Sequence, residues 1–137
     1  MQIILNRTND AVHFTASNAD GNTVDIDGSE AVGGVGAGFR PMELLLAAHA
    51  GCASMDVVSI LKKQRQDLRD VQVTISGTRR DGTPSPFSEI AIHFTVFGDI
   101  DEQAAARAVS LSVEKYCSVG ASLDSNIVVT HSVEVRA

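Results

Sequence analysis

Cys52 is one of only two cysteines in the chain, and its sequence neighbours set it apart. His49 precedes it by one helical turn and Asp56 follows it by one, so any helix through this stretch carries the three on one line. A thiol between an imidazole and a carboxylate can act as a nucleophile whose ionisation a base assists. Side chains on consecutive turns of one helix point roughly parallel rather than end to end. A Cys-His-Asp relay therefore competes with a plainer role for His49, lining a pocket or a subunit seam. Cys52 has its own plain alternative, as a small hydrophobe in a helix core. The triplet matches no common structural zinc spacing, and two cysteines without a CxxC pattern give zinc little support. The other cysteine, Cys117, falls at the end of a second predicted helix beside Tyr116. In a reducing compartment such a pair is buried, catalytic or redox-active rather than a disulfide framework.

The element that must position Cys52 is the stretch Arg40–Gln66, RPMELLLAAHAGCASMDVVSILKKQRQ. Pro41 suits the first helical turn, where its missing N–H costs nothing. Glu43 lies in that turn and favours the positive end of the helix dipole, and the basic run from Lys62 suits the other end. Leu44, Ala48, Gly51, Met55 and Val58 form one apolar line, and Leu46, Ala50, Ala53, Val57 and Leu61 form another. Two such lines predict a helix buried nearly all round. Polar groups within it are costly to bury without partners or work to do, which points the chemistry here.

Around this helix the periodicity predicts strands over Gln2–Arg7, Ala11–Ala16 and Thr23–Ile26, with a turn at Asn18–Asn22. Val71–Arg79 and Ile90–Val96 alternate with period two and should pair antiparallel. Asp101–Tyr116 reads as the second helix and Ile127–Val135 as the last strand. His13, His93 and His131 read as strand residues. The order βββ-α-ββ-α-β predicts an α+β fold, with long helices packed on antiparallel sheets, as a single domain over residues 1–137. The glycine-rich segment Gly28–Gly38 has no GK[ST] and no buried strand directly before it, so a flexible loop bordering the helix pocket is favoured over a phosphate cradle.

Composition narrows the function classes. A net charge of −6 and an aromatic content of 4% suit neither a phosphate-backbone partner nor a base-stacking platform. No basic and apolar leader opens the sequence. The central apolar run is interrupted by His49, Asp56 and small residues, which weakens a membrane-spanning reading. A cytoplasmic protein without nucleic-acid or membrane partners is the expectation.

The segment Ala47-Ala48-His49-Ala50-Gly51-Cys52-Ala53-Ser54-Met55, with Pro41, Glu43 and Leu44 ahead of it, resembles the central helix of the OsmC/Ohr family. Tyr116-Cys117-Ser118-Val119 resembles that family's second-cysteine motif, and Asp56-Val57-Val58 looks like its YhfA-type branch. The resemblance implies an OsmC-like fold and an intertwined homodimer. It implies that Cys52 is a peroxidatic thiolate for organic hydroperoxides and that Cys117 resolves its sulfenic acid to a disulfide. It further implies that an external dithiol restores the pair, with no metal or bound cofactor. Members place a glutamate directly after the helix-start proline and an arginine in the preceding loop. Here Met42 follows the proline and Asp27–Phe39 contains no arginine, so Arg40 with Glu43 is the candidate substitute pair. Ser118 stands where members carry proline. Two other functions remain open at this point. One is a dimer pocket for a small apolar or electrophilic ligand without turnover. The other is a thiol hydrolase or transferase using Cys52 with His49.

Overall fold

The computed structural model describes all residues, Met1–Ala137. They form two compact units, Met1–Leu45 and Leu46–Ala137.

The first unit is an antiparallel meander of β1 (Ile4–Arg7), β2 (Phe14–Ser17) and β3 (Thr23–Ile26). The turn between β2 and β3 is held by Asn18, whose side-chain oxygen accepts from the Asp20 and Asn22 N–H groups, both at 3.0 Å. His13 lies just ahead of β2 and meets the Asp25 carboxylate at 3.0 Å. After β3 the chain does not run free as the glycine content predicts. Asp27, 2% exposed, accepts from the N–H of Gly28 at 2.8 Å and from those of Val35 and Ala37 at 3.0 Å. The loop thus closes on a carboxylate of its own chain, and the amides a phosphate would use are already occupied. Packing is tight enough that a Cβ at Gly34 would sit 1.8 Å from the Gly28 carbonyl oxygen.

The N–H groups of Ala37, Val35 and Gly28 hold the Asp27 carboxyl below its ordinary value of 3.8. A carboxyl depressed by folding stabilises fully above its unfolded-state value, and that contribution is lost as pH falls through the lower folded value. Asp27→Asn turns one acceptor oxygen into a donor facing backbone donors. We expect a lower unfolding midpoint at pH 7, and a gap between variant and native protein that closes as the pH falls through the lowered folded value. Urea unfolding across an acid pH series measures it.

The second helix-bearing unit holds most of α1 (Pro41–Lys63), then β4 (Asp67–Arg79), β5 (Phe87–Asp99), α2 (Glu102–Leu111), a π-turn (Ser112–Tyr116), the short α3 (Ser118–Ala121) and β6 (Val128–Arg136). At the start of α1, Glu43 accepts from the Arg40 main-chain N–H at 2.9 Å, half of a capping box. The helix ends at Lys63 rather than Gln66, because Arg65 takes a left-handed conformation with φ 59°. Its N–H and that of Gln66 bond back to the carbonyls of Lys62 and Leu61, both at 3.0 Å, which is the Schellman closure.

β4 and β5 pair antiparallel as predicted, each longer than the alternation alone indicates. β6 does not continue that pattern. It lies parallel to β5 along its length, so this sheet is mixed rather than antiparallel. The cause is the connection, since α2 carries the chain back over the sheet and a strand reached by such a crossover enters parallel. β5 is central, and its Ile90, Ile92, Phe94 and Val96 form the core. Asp101 caps α2 by accepting from the Ala104 N–H at 2.8 Å, and α2 buries Ala104, Ala105, Ala108 and Val109.

α1 is not buried all round within one chain. It buries the line His49, Ala53, Val57 and Leu61. The other apolar line is only partly covered, with Ala48 exposed, Met55 76% exposed and Leu44, Gly51 and Val58 half-buried. The chain fully buries only one side of a helix that is apolar on two. By length and composition alone α1 is apolar enough to cross a membrane, a test that core helices also pass.

Candidate functional site

The second predicted helix does not run unbroken to Tyr116. The α form ends at Leu111, and Ser112–Tyr116 widens into a π-turn, an insertion that recurs at functional sites. Two buried bonds fix its position. The Ser112 hydroxyl, fully buried, donates to the Ala53 carbonyl on α1 at 2.8 Å. The Cys117 N–H closes the turn on the Ser112 carbonyl at 2.9 Å. Cys117 itself is extended, with φ −66° and ψ 105°, and it caps α3. Its sulfur accepts from the Gly120 N–H at 3.3 Å, and its thiol faces the His49 carbonyl at 3.9 Å.

This geometry sets the second thiol beside the first. Cys52 and Cys117 are both free, Cys52 half-buried and Cys117 buried. Burial pushes the Cys117 thiol up, the Gly120 N–H pulls it partly back, and the neighbouring Cys52 thiol raises it further. A deeply placed thiol thus stands next to a more accessible one, an arrangement suited to thiol–disulfide chemistry.

His49 is 1% exposed, and neither ring nitrogen has a hydrogen-bond partner in the chain. Burial holds its pKa below the ordinary histidine value, so the ring is neutral at pH 7. It shares the buried line of α1 with Ala53 rather than extending a relay along the surface. Nε2 would be 3.0 Å from a Cβ on Gly120, and the Cys117 sulfur would be 3.5 Å from the same point.

Asp56 is half-buried, and its Oδ2 is sealed from solvent without a donor. It lines a cleft of about 510 Å³ with Ser59, Ile60, Lys63, Gln64, Leu111 and Tyr116. No bond joins it to His49, so a Cys-His-Asp relay is not assembled. Arg40 and Glu43 belong to the first unit. There the carboxylate takes the Arg40 main-chain N–H, and no ion pair to the guanidinium forms. No three His, Cys, Asp or Glu side chains converge as a metal cage.

Ser112, Gly120 and Asp27 escaped the sequence reading. Ser112 and Gly120 flank Cys117 at −5 and +3, and small residues around a cysteine at a helix end were the available signal. Asp27 had a plainer one, as an acidic residue at the mouth of a glycine-rich run.

Comparison with known proteins bears on the family and the fold. A family model described as OsmC-like protein matches residues 34–132. Protein YhfA of Escherichia coli (strain K12) is 43% identical over 125 residues, 90% of each chain. A hypothetical protein from Aquifex aeolicus VF5 is 33% identical, with a TM-score of 0.81 over 98% of this chain and 96% of its own. The organic hydroperoxide resistance protein OsmC of Legionella pneumophila is 21% identical, with a TM-score of 0.73 over 98% and 97%, a likeness of fold. A family model spanning most of the sequence and a relative matched over nine-tenths of both lengths lead to one conclusion: this chain belongs to the OsmC-like family.

Proposed function

We propose that the protein is a thiol-dependent peroxidase for organic hydroperoxides. The observation that carries this reading is the pairing of two free thiols, Cys52 half-buried and Cys117 buried beside it. The organic hydroperoxide resistance protein among its fold neighbours supports the substrate class. The Cys52 thiolate attacks the distal hydroperoxide oxygen. The S–O bond forms, the O–O bond breaks, and the alkoxide leaves as alcohol after taking a proton. Cys117 displaces water from the Cys52 sulfenic acid and a disulfide forms, still on the reversible part of the oxidation ladder. An external dithiol reduces the disulfide. A reducing cytoplasm suits a pair that rests as free thiols.

One equivalent of cumene hydroperoxide should give one equivalent of alcohol, a Cys52–Cys117 disulfide by mass spectrometry and no free thiol. Thiols left intact while free cysteine oxidises would favour the alternative, a ligand-binding dimer without turnover.

The working form in this reading is a homodimer. The uncovered side of α1 with Met55, and Ile4 and Leu5 at 55% and 51% exposure, is apolar surface that a second copy would cover by isologous contact. Sedimentation should give a dimer throughout the micromolar range, and a folded monomer there would overturn it.

A further inference from the structure

The fully buried His49 ring has no assigned task. Leaving two imidazole nitrogens sealed from water without partners is costly. A leucine there would avoid that cost. The ring's surroundings indicate what the cost supports. Gly120 leaves a gap that its missing Cβ would fill, and His49 Nε2 and the Cys117 sulfur both border that gap, at 3.0 and 3.5 Å from the Cβ position. The Cys117 thiol is also held toward His49 through the backbone, at 3.9 Å from its carbonyl. In the tautomer with hydrogen on Nδ1, Nε2 has a free lone pair on the side of the thiol.

We propose that His49 is the general base of the resolving step, taking the Cys117 proton across the Gly120 gap as that sulfur attacks Cys52. This rests on the peroxidase reading for its physiological setting, but the chemistry belongs to any attack of Cys117 on an oxidised Cys52. With a sulfenic acid at Cys52, the Cys117 S–H proton passes to Nε2 and the Cys117 sulfur bonds to the Cys52 sulfur. The S–O bond breaks, and the departing hydroxide takes the proton from His49 and leaves as water. Thiol plus sulfenic acid become disulfide plus water, and His49 ends neutral.

The environment explains why a base is needed at this thiol. A buried thiol pushed up in pKa ionises poorly alone. An imidazole kept neutral by burial is available to accept, and the thiolate–imidazolium pair formed in transit is stabilised by mutual attraction in a dry site. Cys52 has more access to solvent and does not depend on this route. Sequence spacing places His49 nearest Cys52, whereas in the fold its Nε2 borders the same Gly120 gap as the sulfur of the cysteine 68 residues further on.

The test requires no peroxide. Cys52 attacks 5,5′-dithiobis(2-nitrobenzoate) and releases one thionitrobenzoate. Cys117 then attacks the mixed disulfide at Cys52 and releases a second, so two phases appear at 412 nm. The first phase is the internal reference, and Cys117→Ser must lose the second. His49→Gln should lower the ratio of second-phase to first-phase rate by about 100-fold, the usual scale of general-base assistance. Gly120→Ala places a methyl in the gap and should lower the ratio in the same direction. In His49→Ala, added imidazole should restore the second phase in proportion to its concentration. An unchanged ratio in His49→Gln overturns the proposal. A lowered ratio that imidazole does not restore in His49→Ala also overturns it, leaving His49 a packing residue. Because neither phase uses a hydroperoxide, these outcomes are separate from failure of the cumene hydroperoxide experiment.

Discussion

Cys52→Ser should abolish hydroperoxide consumption, while Cys117→Ser should consume one equivalent and stop. The asymmetry follows from the placement of the two sulfurs. Cys52 lies half-buried on α1, and a serine hydroxyl there is far too weak a nucleophile at neutral pH to replace a thiolate. The expected loss is at least about 10⁴-fold in turnover, on the scale of removing a covalent nucleophile. Cys117 is 3% exposed and faces α1, so it meets the sulfenic acid rather than the peroxide. Its serine variant should hold Cys52 as sulfenic acid, which dimedone would trap and excess peroxide would carry on to sulfinic acid. Alcohol yield per chain, with mass spectrometry of the Cys52 peptide, separates the two variants. Multiple turnovers by Cys117→Ser with the same dithiol would remove Cys117 from the cycle.

Gly98→Ala should be the most damaging single-methyl change in the sheet. Gly98 has φ 140°, where an L side chain is strained. It also lies across from the register shift between Leu68 and Asp70, where one extra residue bends β4. A Cβ at Gly98 would stand 1.8 Å from the Asp67 carbonyl oxygen and 3.3 Å from the Arg69 nitrogen. Both are backbone atoms of the paired strand, so no side chain can turn aside. Relief requires breaking the β4–β5 ladder locally. The expected cost is about 3–5 kcal/mol, the range of severe backbone conflicts, read as a lower urea midpoint. A midpoint shift worth less than about 1 kcal/mol would mean that the bulge relaxes without strain.

The parts of the fold visible in the sequence were those set by local rules. Pro41, Glu43 and the basic run from Lys62 delimit α1 because helix ends are chosen by nearby residues, and the alternation in β4 and β5 marks a half-buried pair. The end of α1 was misplaced by three residues because the left-handed position is filled by Arg65, where glycine would have given the signal. The parallel seating of β6 was hidden because alternation is the same for both strand directions. Within the site, Cys52 stood out by its neighbours. Asp56 and His49 read as partners by spacing, yet His49 turns to the interior and Asp56 to a separate cleft. The meeting of His49 with Gly120 and Cys117 is a tertiary contact between segments far apart in sequence, which no local pattern encodes.

The π-turn makes the cysteine pair a matter of counting. Each residue advances an α-helix by about 100°, so the one extra residue held in Ser112–Tyr116 sets the phase at which the chain leaves the helix. Deleting a single residue there would leave α2 a sound helix with the same buried alanines, yet rotate the exit and carry Cys117 away from α1. Ser112 would lose its hold on the Ala53 carbonyl in the same motion. Within this segment, length is therefore constrained more tightly than identity. A side chain such as Lys115, exposed to solvent, is freer to vary than the number of residues between Leu111 and Cys117.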